Sequence, residues 1–162
     1  MSPDVRGRSH TIGADVLLPG PGDGGVLIAH GDSVAGYALR IDEGHLIHHY
    51  VHRRLATTTR SSHGVPHGRL VRVQAAIVRS GSRALVTLTI DGSPAGEGTI
   101  PEMARARTGY TGVDVGCDRG LTVGGYPAPA RFTGRLALVD VEGADDQWLD
   151  LAAALEIESA TQ

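Results

Sequence analysis

Apolar and polar residues alternate along much of the chain, a pattern typical of β-strands that bury one face. The rows with this alternation lie at residues 10–18, 37–42, 71–77 and 86–90. In the third row, for example, the apolar positions are Val71, Val73, Ala75 and Ile77. The spacing therefore predicts a set of half-buried strands rather than helices.

Turn-forming residues separate these rows and predict how the strands pair. Asp42-Glu43-Gly44 is expected to form a three-residue hairpin loop that leads into a strand at His45–His52. Asp91-Gly92 is a strong hairpin signal, with a return strand expected at residues 98–100. The turn signals thus predict antiparallel hairpins in the middle of the chain.

Other segments carry weaker patterns. A short apolar run at residues 26–29 and two later segments, 111–116 and 132–141, are predicted strands. Residues 55–67 are polar without a clear period, and they are predicted to be irregular. A stretch rich in glycine and proline, residues 120–130, is expected to run as a long loop between the last two strands.

Helical spacing occurs only at the end of the chain. Trp148, Leu151 and Leu155 recur at helical intervals, with Asp145 and Asp146 ahead of them as candidate capping residues. Many short strands and one late helix predict an all-β sandwich or barrel at residues 1–144, followed by a helical appendage at 145–162. A doubly wound α/β fold is excluded because the chain has no room for helices between its strands.

Composition narrows the possible functions. The chain has 162 residues, enough for one domain with its own core, and its net charge of −3 predicts no nucleic-acid-binding face. All 15 basic residues are arginine, which excludes mechanisms based on a Schiff-base lysine or a phosphate-loop lysine. Cys117 is the single cysteine, so no internal disulfide is possible. Neither an apolar leader nor a run long enough to span a membrane is found, and we therefore expect a cytoplasmic protein.

Several short motifs, in their order along the chain, resemble the C-terminal module of bacterial arylsulfatases. They are Arg8-Ser9-His10-Thr11-Ile12, Val26-Leu27-Ile28-Ala29-His30-Gly31, Leu88-Thr89-Ile90-Asp91-Gly92, Asp114-Val115-Gly116 and Arg131-Phe132-Thr133-Gly134. The resemblance implies an antiparallel two-sheet jelly roll of the concanavalin A-like and laminin-G-like type. It further implies a partner, a separate sulfatase-type catalytic domain, to which such a module is an accessory.

The catalytic motif of that family is missing from this sequence. The sulfatase cysteine lies in a Cys-x-Pro-x-Arg motif, whereas Cys117 is followed by Asp118 and Arg119 and has no proline two residues later. The sequence therefore predicts no enzyme on its own residues. It predicts an accessory or binding module that contacts carbohydrate or a partner domain; a fragment of a sulfatase is the alternative.

The histidine-rich strand is the first candidate ligand-binding site. On a strand, His48, Tyr50 and His52 share one face and Ile47, His49 and Val51 the other. We expect the first row to face solvent, as a plain polar surface or as a contact for sugar. Two histidines at this spacing can also hold a metal, but the sequence supplies no third ligand. His10 shares a strand face with the apolar residues Ile12 and Ala14, so it is expected to be a buried core histidine.

Two pairs of acidic residues are further candidates. Laminin-G-like sandwiches often hold calcium at a rim, and Asp114 and Asp118 flank a loop where carboxylates could serve that ion; ordinary turn acids are the alternative. Asp140 and Glu142 share a strand face, like the paired carboxylates of jelly-roll glycoside hydrolases. Their order, Asp-x-Glu-x-x-Asp, departs from the Glu-x-Asp-x-x-Glu of those enzymes, and aromatic residues that could stack on sugar are scarce at 4%.

Overall fold

The computed structural model describes residues 4–104 and 112–148, and these form ten β-strands. The strands are β1 (His10–Leu17), β2 (Gly25–Gly31), β3 (Gly36–Asp42), β4 (His45–His52), β5 (Leu55–Gly64), β6 (Leu70–Ser80), β7 (Arg83–Ile90), β8 (Ser93–Ile100), β9 (Val113–Val115) and β10 (Arg135–Gly143). No helix occurs within the described residues, so the fold is all-β there. It follows that no helix in those two segments is long and apolar enough to cross a membrane.

The strands form two antiparallel sheets of five strands each. The first sheet has the order β10-β1-β6-β7-β8, and the second has the order β5-β4-β3-β2-β9. Sequential hairpins build β3-β4-β5 and β6-β7-β8, whereas β1 pairs with β6 and β10, which lie far from it along the chain. This mixture of hairpins and crossovers is a jelly-roll sandwich, as the sequence predicts.

The main core lies between the two sheets and follows the predicted parity. Ile12, Ala14 and Val16 of β1 are fully buried, and the alternate residues of β6 and β7 pack against them. The second sheet contributes the side chains of Leu39, Ile41 and Leu46 to the same cluster. Alternation along single strands was therefore sufficient to predict which residues of β1, β6 and β7 form the core.

The prediction for residues 55–67 was wrong, because β5 occupies most of that segment. It is the edge strand of its sheet, and its two buried side chains, Thr59 and Ser61, are polar. Ser61 is satisfied locally, since its hydroxyl accepts from the Leu46 N–H and donates to the His63 carbonyl. An edge strand that buries hydroxyls instead of alkyl groups shows no hydrophobic period.

Two tight turns also differ from expectation. The β3–β4 loop has two residues, Glu43 and Gly44, both at positive φ, rather than the three residues predicted. The β4–β5 loop places Arg53 and Arg54 at φ values of 51° and 65°, so two bulky side chains occupy the left-handed region. Because arginine is uncommon at such positions, this turn gave no sequence signal and the following strand was missed.

Replacing the β4–β5 turn by a favoured one is expected to stabilise the domain. Arg53→Asn with Arg54→Gly should raise the free energy of unfolding by about 1 kcal/mol, since Asn-Gly accepts the positive φ of both positions without strain. Urea denaturation measures the change. The matched control, Arg53→Ala with Arg54→Ala, removes the same charges but keeps residues that are strained at positive φ. An equal rise in its free energy of unfolding would show that the loss of charge, and not the relief of backbone strain, stabilises the domain.

The end of the described chain packs back onto its beginning. Asp146 accepts hydrogen bonds from the backbone N–H and the hydroxyl of Ser9, and the Trp148 N–H donates to the Gly7 carbonyl. Residues 145–148 are not helical, so Asp145 and Asp146 do not cap a helix in this segment. The remainder of the predicted appendage, 149–162, lies outside the described residues.

Candidate functional site

The outer face of the second sheet is covered by the loop that joins β9 to β10. We call residues 116–131 the covering loop. Its apolar side chains, Val123, Tyr126 and Ala130, pack on a small second cluster formed by Val26, Ala29, Ala38 and Val51. Both faces of β2, β3 and β4 are therefore buried, one against the first sheet and the other under the covering loop.

Asp118 organises the covering loop from within. Its side chain is buried, and its carboxylate accepts hydrogen bonds from the Val123 N–H at 3.0 Å and from the Tyr126 hydroxyl at 2.5 Å. Its own N–H donates to the Pro129 carbonyl at 2.7 Å. Burial and the neighbouring carboxylate raise the pKa of the Tyr126 phenol, which therefore stays protonated as the donor.

Backbone bonds seat both ends of the covering loop on β2. The Gly116 N–H donates to the Leu27 carbonyl, and the Val26 N–H donates to the Ala130 carbonyl, each at 2.9 Å. Close contact at Gly25 makes this possible, because a Cβ there would lie 2.3 Å from the Arg131 carbonyl oxygen. The loop is thus built into the sheet by its main chain as well as by its side chains.

His49 and Arg40 form a polar chain under the loop. The Arg40 Nε–H donates to His49 Nε2 at 2.8 Å, so the histidine proton lies on Nδ1, which is 3.1 Å from the Thr58 hydroxyl oxygen. The Arg40 guanidinium also lies over the Tyr126 ring, 4.9 Å from its centroid. Burial, together with the charge of Arg40, lowers the pKa of His49 to about 4, and the ring is therefore neutral at physiological pH.

A solvent-open cleft lies beside Arg40, at the start of β2 and the end of β3. We call it the Arg40 cleft; its volume is about 330 Å³. The turn before β2, the β3–β4 hairpin and the end of the covering loop line it, with the polar side chains of Asp23, Arg40, Asp42, Glu43, Tyr126, Arg131 and Thr133. The cleft therefore combines charged and neutral hydrogen-bond donors, carboxylate acceptors and one aromatic ring.

A second cleft lies on the other side of the covering loop. It measures about 410 Å³, and its walls include Asp114, Asp118 and Arg119 together with Gly31, Gly112 and Gly120. The Arg119 guanidinium is bound to the Asp114 carboxylate, which holds the pKa of that carboxyl below its usual range. The cleft is therefore bordered by a formed ion pair.

The expectation that the His48, Tyr50 and His52 row faces solvent was wrong for its first two members. His48 is 1% exposed and Tyr50 is 5% exposed, and both point into the core between the sheets. Only His52 comes near the surface, beside Glu102 at 3.7 Å and a small cleft of about 40 Å³. The sequence correctly grouped His48, Tyr50 and His52 on one face of β4, but that face points towards the core instead of the solvent.

The predicted calcium residues, Asp114 and Asp118, border the same cleft but do not form a shared metal site. Asp114 is paired with Arg119, and Asp118 is bonded to Tyr126 and Val123. Within the described segments, no group of three or more His, Cys, Asp or Glu side chains is arranged to hold a metal ion. The donor set does not fit calcium, which takes six to eight oxygen ligands.

The alternative catalytic pair, Asp140 and Glu142, lies on the outer face of the first sheet. Arg72 donates to both oxygens of Asp140, at 2.9 and 2.8 Å, across the space above Gly13. Glu142 is exposed beside Thr11. The carboxylate of Asp140 is thus committed to a structural ion pair, an arrangement that does not suit a catalytic nucleophile.

Sequence reasoning missed the residues that line the Arg40 cleft. Arg40 stands on the outward parity of an alternating strand, where a charged side chain is expected and attracts no notice. Tyr126 and Arg131 lie in or beside the glycine- and proline-rich stretch, which was predicted only as a loop. The one signal available was an aromatic residue inside that stretch, in a chain with few aromatic residues.

No protein-family model matches the chain, and no curated protein matches it. Solved structures do match it. Laminin-G domains 4–5 of the mouse laminin α1 chain superpose with a TM-score of 0.62 at 13% identity, over 93% of this chain and 38% of that one. The CBM40 module of a Ruminococcus gnavus sialidase, solved with α2,3-sialyllactose, superposes with a TM-score of 0.59 at 16% identity, over 92% of this chain and 82% of that one.

A protein of Bacteroides ovatus, provisionally named as carbohydrate binding, superposes with a TM-score of 0.60 at 15% identity, over 86% of this chain and 38% of that one. The chain therefore spans less than two-fifths of the length of two of these three neighbours. At such identities the likeness concerns the fold alone. The described residues thus form a jelly-roll β-sandwich of the architecture shared by laminin-G-like and carbohydrate-binding domains.

Proposed function

We propose that the domain is a non-catalytic carbohydrate-binding module and that its ligand occupies the Arg40 cleft. The observation that carries the proposal is the chemistry of that cleft, which combines guanidinium, carboxylate, hydroxyl and aromatic groups in one open depression on the outer face of a jelly-roll sheet. Sugars present hydroxyls that both donate and accept, and a site with paired donors and acceptors suits them. Carbohydrate-binding domains among the structural neighbours support this class of ligand.

The cleft is held in shape before any ligand arrives. Arg40 is fixed from three sides by His49, Asp42 and the Tyr126 ring. The Tyr126 ring is in turn fixed by the hydrogen bond to Asp118. Binding would therefore order few side chains, which lowers the entropic cost of association.

Removing a polar group from the cleft is expected to weaken glycan binding by about tenfold. Asp42→Ala deletes an acceptor and Arg131→Ala deletes an exposed donor, and a hydrogen bond to a charged group contributes about 1.5 kcal/mol. A glycan array on the wild type identifies the ligand, and isothermal titration of each variant measures its affinity. Arg83→Ala, which removes an exposed arginine from the first sheet, is the matched control and should bind like the wild type.

An array with no bound glycan would reject the proposal, and so would equal affinity in the wild type and both cleft variants. A loss in the Arg83→Ala control would show that the effect is one of net charge rather than of the cleft.

A role as the accessory module of a sulfatase-type catalytic domain is the second proposal. It rests on the resemblance of the motifs around Arg8–Ile12, Asp114 and Arg131 to those arylsulfatase modules. The short span of this chain within two of its structural neighbours agrees with a module that occurs inside longer proteins. Copurification with a sulfatase-type domain encoded nearby would support it, and absence of any interaction between the two purified proteins would exclude it.

A further inference from the structure

Asp114 and Asp118 form the rim of the second cleft, where calcium was expected from the sequence, and both carboxylates are bonded to other groups. Arg119 binds Asp114 from two directions, since its backbone N–H donates to one carboxylate oxygen at 2.8 Å and its guanidinium donates to the other at 2.8 and 3.1 Å. All of these bonds come from residues only five positions apart. Both oxygens that a metal would use are therefore already bonded to donors.

The second carboxylate of the rim is committed as well. Asp118 is 2% exposed, and one of its oxygens accepts both the Tyr126 O–H and the Val123 N–H. A cation at this place would compete with two donors that hold the covering loop together. The groups aimed at both carboxylates are N–H and O–H donors, whereas a calcium site requires carbonyl and carboxylate lone pairs.

We propose that Arg119 supplies the fixed positive charge of this rim in place of a metal ion, so that the domain folds and binds its ligand without calcium. The ion pair with Asp114 ties the start of the covering loop to β9, and the Asp118–Tyr126 bond ties the middle of the loop. Since Tyr126 is one wall of the Arg40 cleft, the same contacts position the candidate binding site. The part of this inference that concerns ligand binding rests on the proposed function; the part that concerns the rim does not.

The test compares melting temperatures of the full chain in EDTA and in millimolar calcium chloride, with no glycan present. The wild type should melt at the same temperature in both solutions. Asp114→Asn and Arg119→Gln should each lower the melting temperature by about 2 °C, equally with and without calcium, since each breaks the same ion pair. The double variant should melt no lower than the single ones, because the second change finds no interaction left to remove.

Glu97→Gln, which neutralises an exposed acid on the first sheet, is the matched control and should melt like the wild type in both solutions. A wild-type melting temperature that rises with calcium would overturn the inference. It would also be overturned if Asp114→Asn melted lower only in calcium, since that pattern identifies Asp114 as a metal ligand.

A separate arm addresses the ligand. If the glycan array finds a ligand, its affinity should be the same in EDTA and in calcium; affinity lost in EDTA would overturn the inference while leaving the proposed function intact. If the array finds no ligand, the proposed function fails, and the melting experiment still decides the role of Arg119.

Discussion

Lowering the pH from 7 to 4.5 is expected to destabilise this domain strongly through its buried histidines. His48 lies in the core between the sheets, and burial, with His10 and His49 nearby, lowers its pKa to about 3. Burial is also the main cause that lowers the pKa of His49, to about 4, and those of His10 and His30. The folded state therefore keeps these rings neutral at pH values where the unfolded chain protonates them.

The direction of the effect follows from these shifts. Above pH 6.5 these histidines are mostly neutral in both the folded and the unfolded state, so their burial costs no stability. As the pH falls below 6.5, the unfolded chain binds protons that the folded chain does not bind. The free energy of unfolding therefore declines until the pH reaches the pKa of the folded state. For His48 the loss amounts to about 2.5 kcal/mol between pH 7 and pH 4.5, and His49 should add about 2 kcal/mol. A domain of ordinary stability has only about 5–15 kcal/mol in total, so partial unfolding near pH 4 is expected.

Urea denaturation at a series of pH values measures this directly, because its pH slope counts the protons taken up on unfolding. We expect about two protons or more at pH 5.5. His48→Leu keeps a side chain of similar size in the core and should remove the share of the acid loss that belongs to His48, about 2.5 kcal/mol between pH 7 and pH 4.5. It should also cost little at pH 7, since the Nε2 atom of His48 is buried with no hydrogen-bond partner among the described residues.

His67→Leu is the matched control, because His67 is exposed and lies outside the strands. The acid loss of this variant should match that of the wild type, because the substitution leaves all of the core histidines in place. If His48→Leu retains the full acid loss, His48 is not the residue that resists protonation, and the explanation from core burial is wrong.

Gly25→Ala is expected to have the largest effect of any single small substitution in the site. Gly25 has a φ of 120°, which side chains rarely allow, and an added Cβ would lie 2.3 Å from the Arg131 carbonyl oxygen. The neighbouring atom is backbone and cannot rotate away. We therefore expect a loss of at least about 3 kcal/mol in the free energy of unfolding, from backbone strain together with a displaced covering loop.

The turn between β1 and β2 offers a matched control three residues before Gly25. Gly22→Ala should change stability by less than about 0.5 kcal/mol, because no atom lies within 4 Å of its Cβ position. Urea denaturation of both variants makes the comparison. Similar stabilities for the two variants would show that the covering loop is not seated by the close approach at Gly25.

A milder variant keeps the test open if Gly25→Ala does not fold. A Cβ at Gly124 would lie 2.8 Å from the His49 ring, so Gly124→Ala should lift the covering loop without straining β2. Loss of glycan affinity with a largely retained melting temperature is the expected result for this variant.

The main outline of the fold could be predicted from the sequence because its signals are local. In β1, β6 and β7 the alternation of apolar and polar side chains directly reflects which residues contact the opposite sheet, and Asp91-Gly92 marks a turn by its own conformational preference. The β4–β5 turn and β5 were missed for the opposite reason. Arg53 and Arg54 are held at positive φ by the strands around them, and Thr59 and Ser61 are buried by position in the sheet rather than by hydrophobicity.

The site was decided by contacts between residues far apart in the chain. The sequence pattern indicates which residues of β4 share a face. Burial of the outer face, however, depends on residues 116–131, which lie more than sixty positions later in the chain and pack over it. Arg40, Tyr126 and Arg131 become neighbours only in that arrangement. The sequence by itself therefore determined a set of half-buried strands and the inward residues of β1, β6 and β7, since the hydrophobic period acts along each strand. Only the tertiary structure decided that His48 and His49 are buried, what Asp114 and Asp118 bind, and where a ligand can enter.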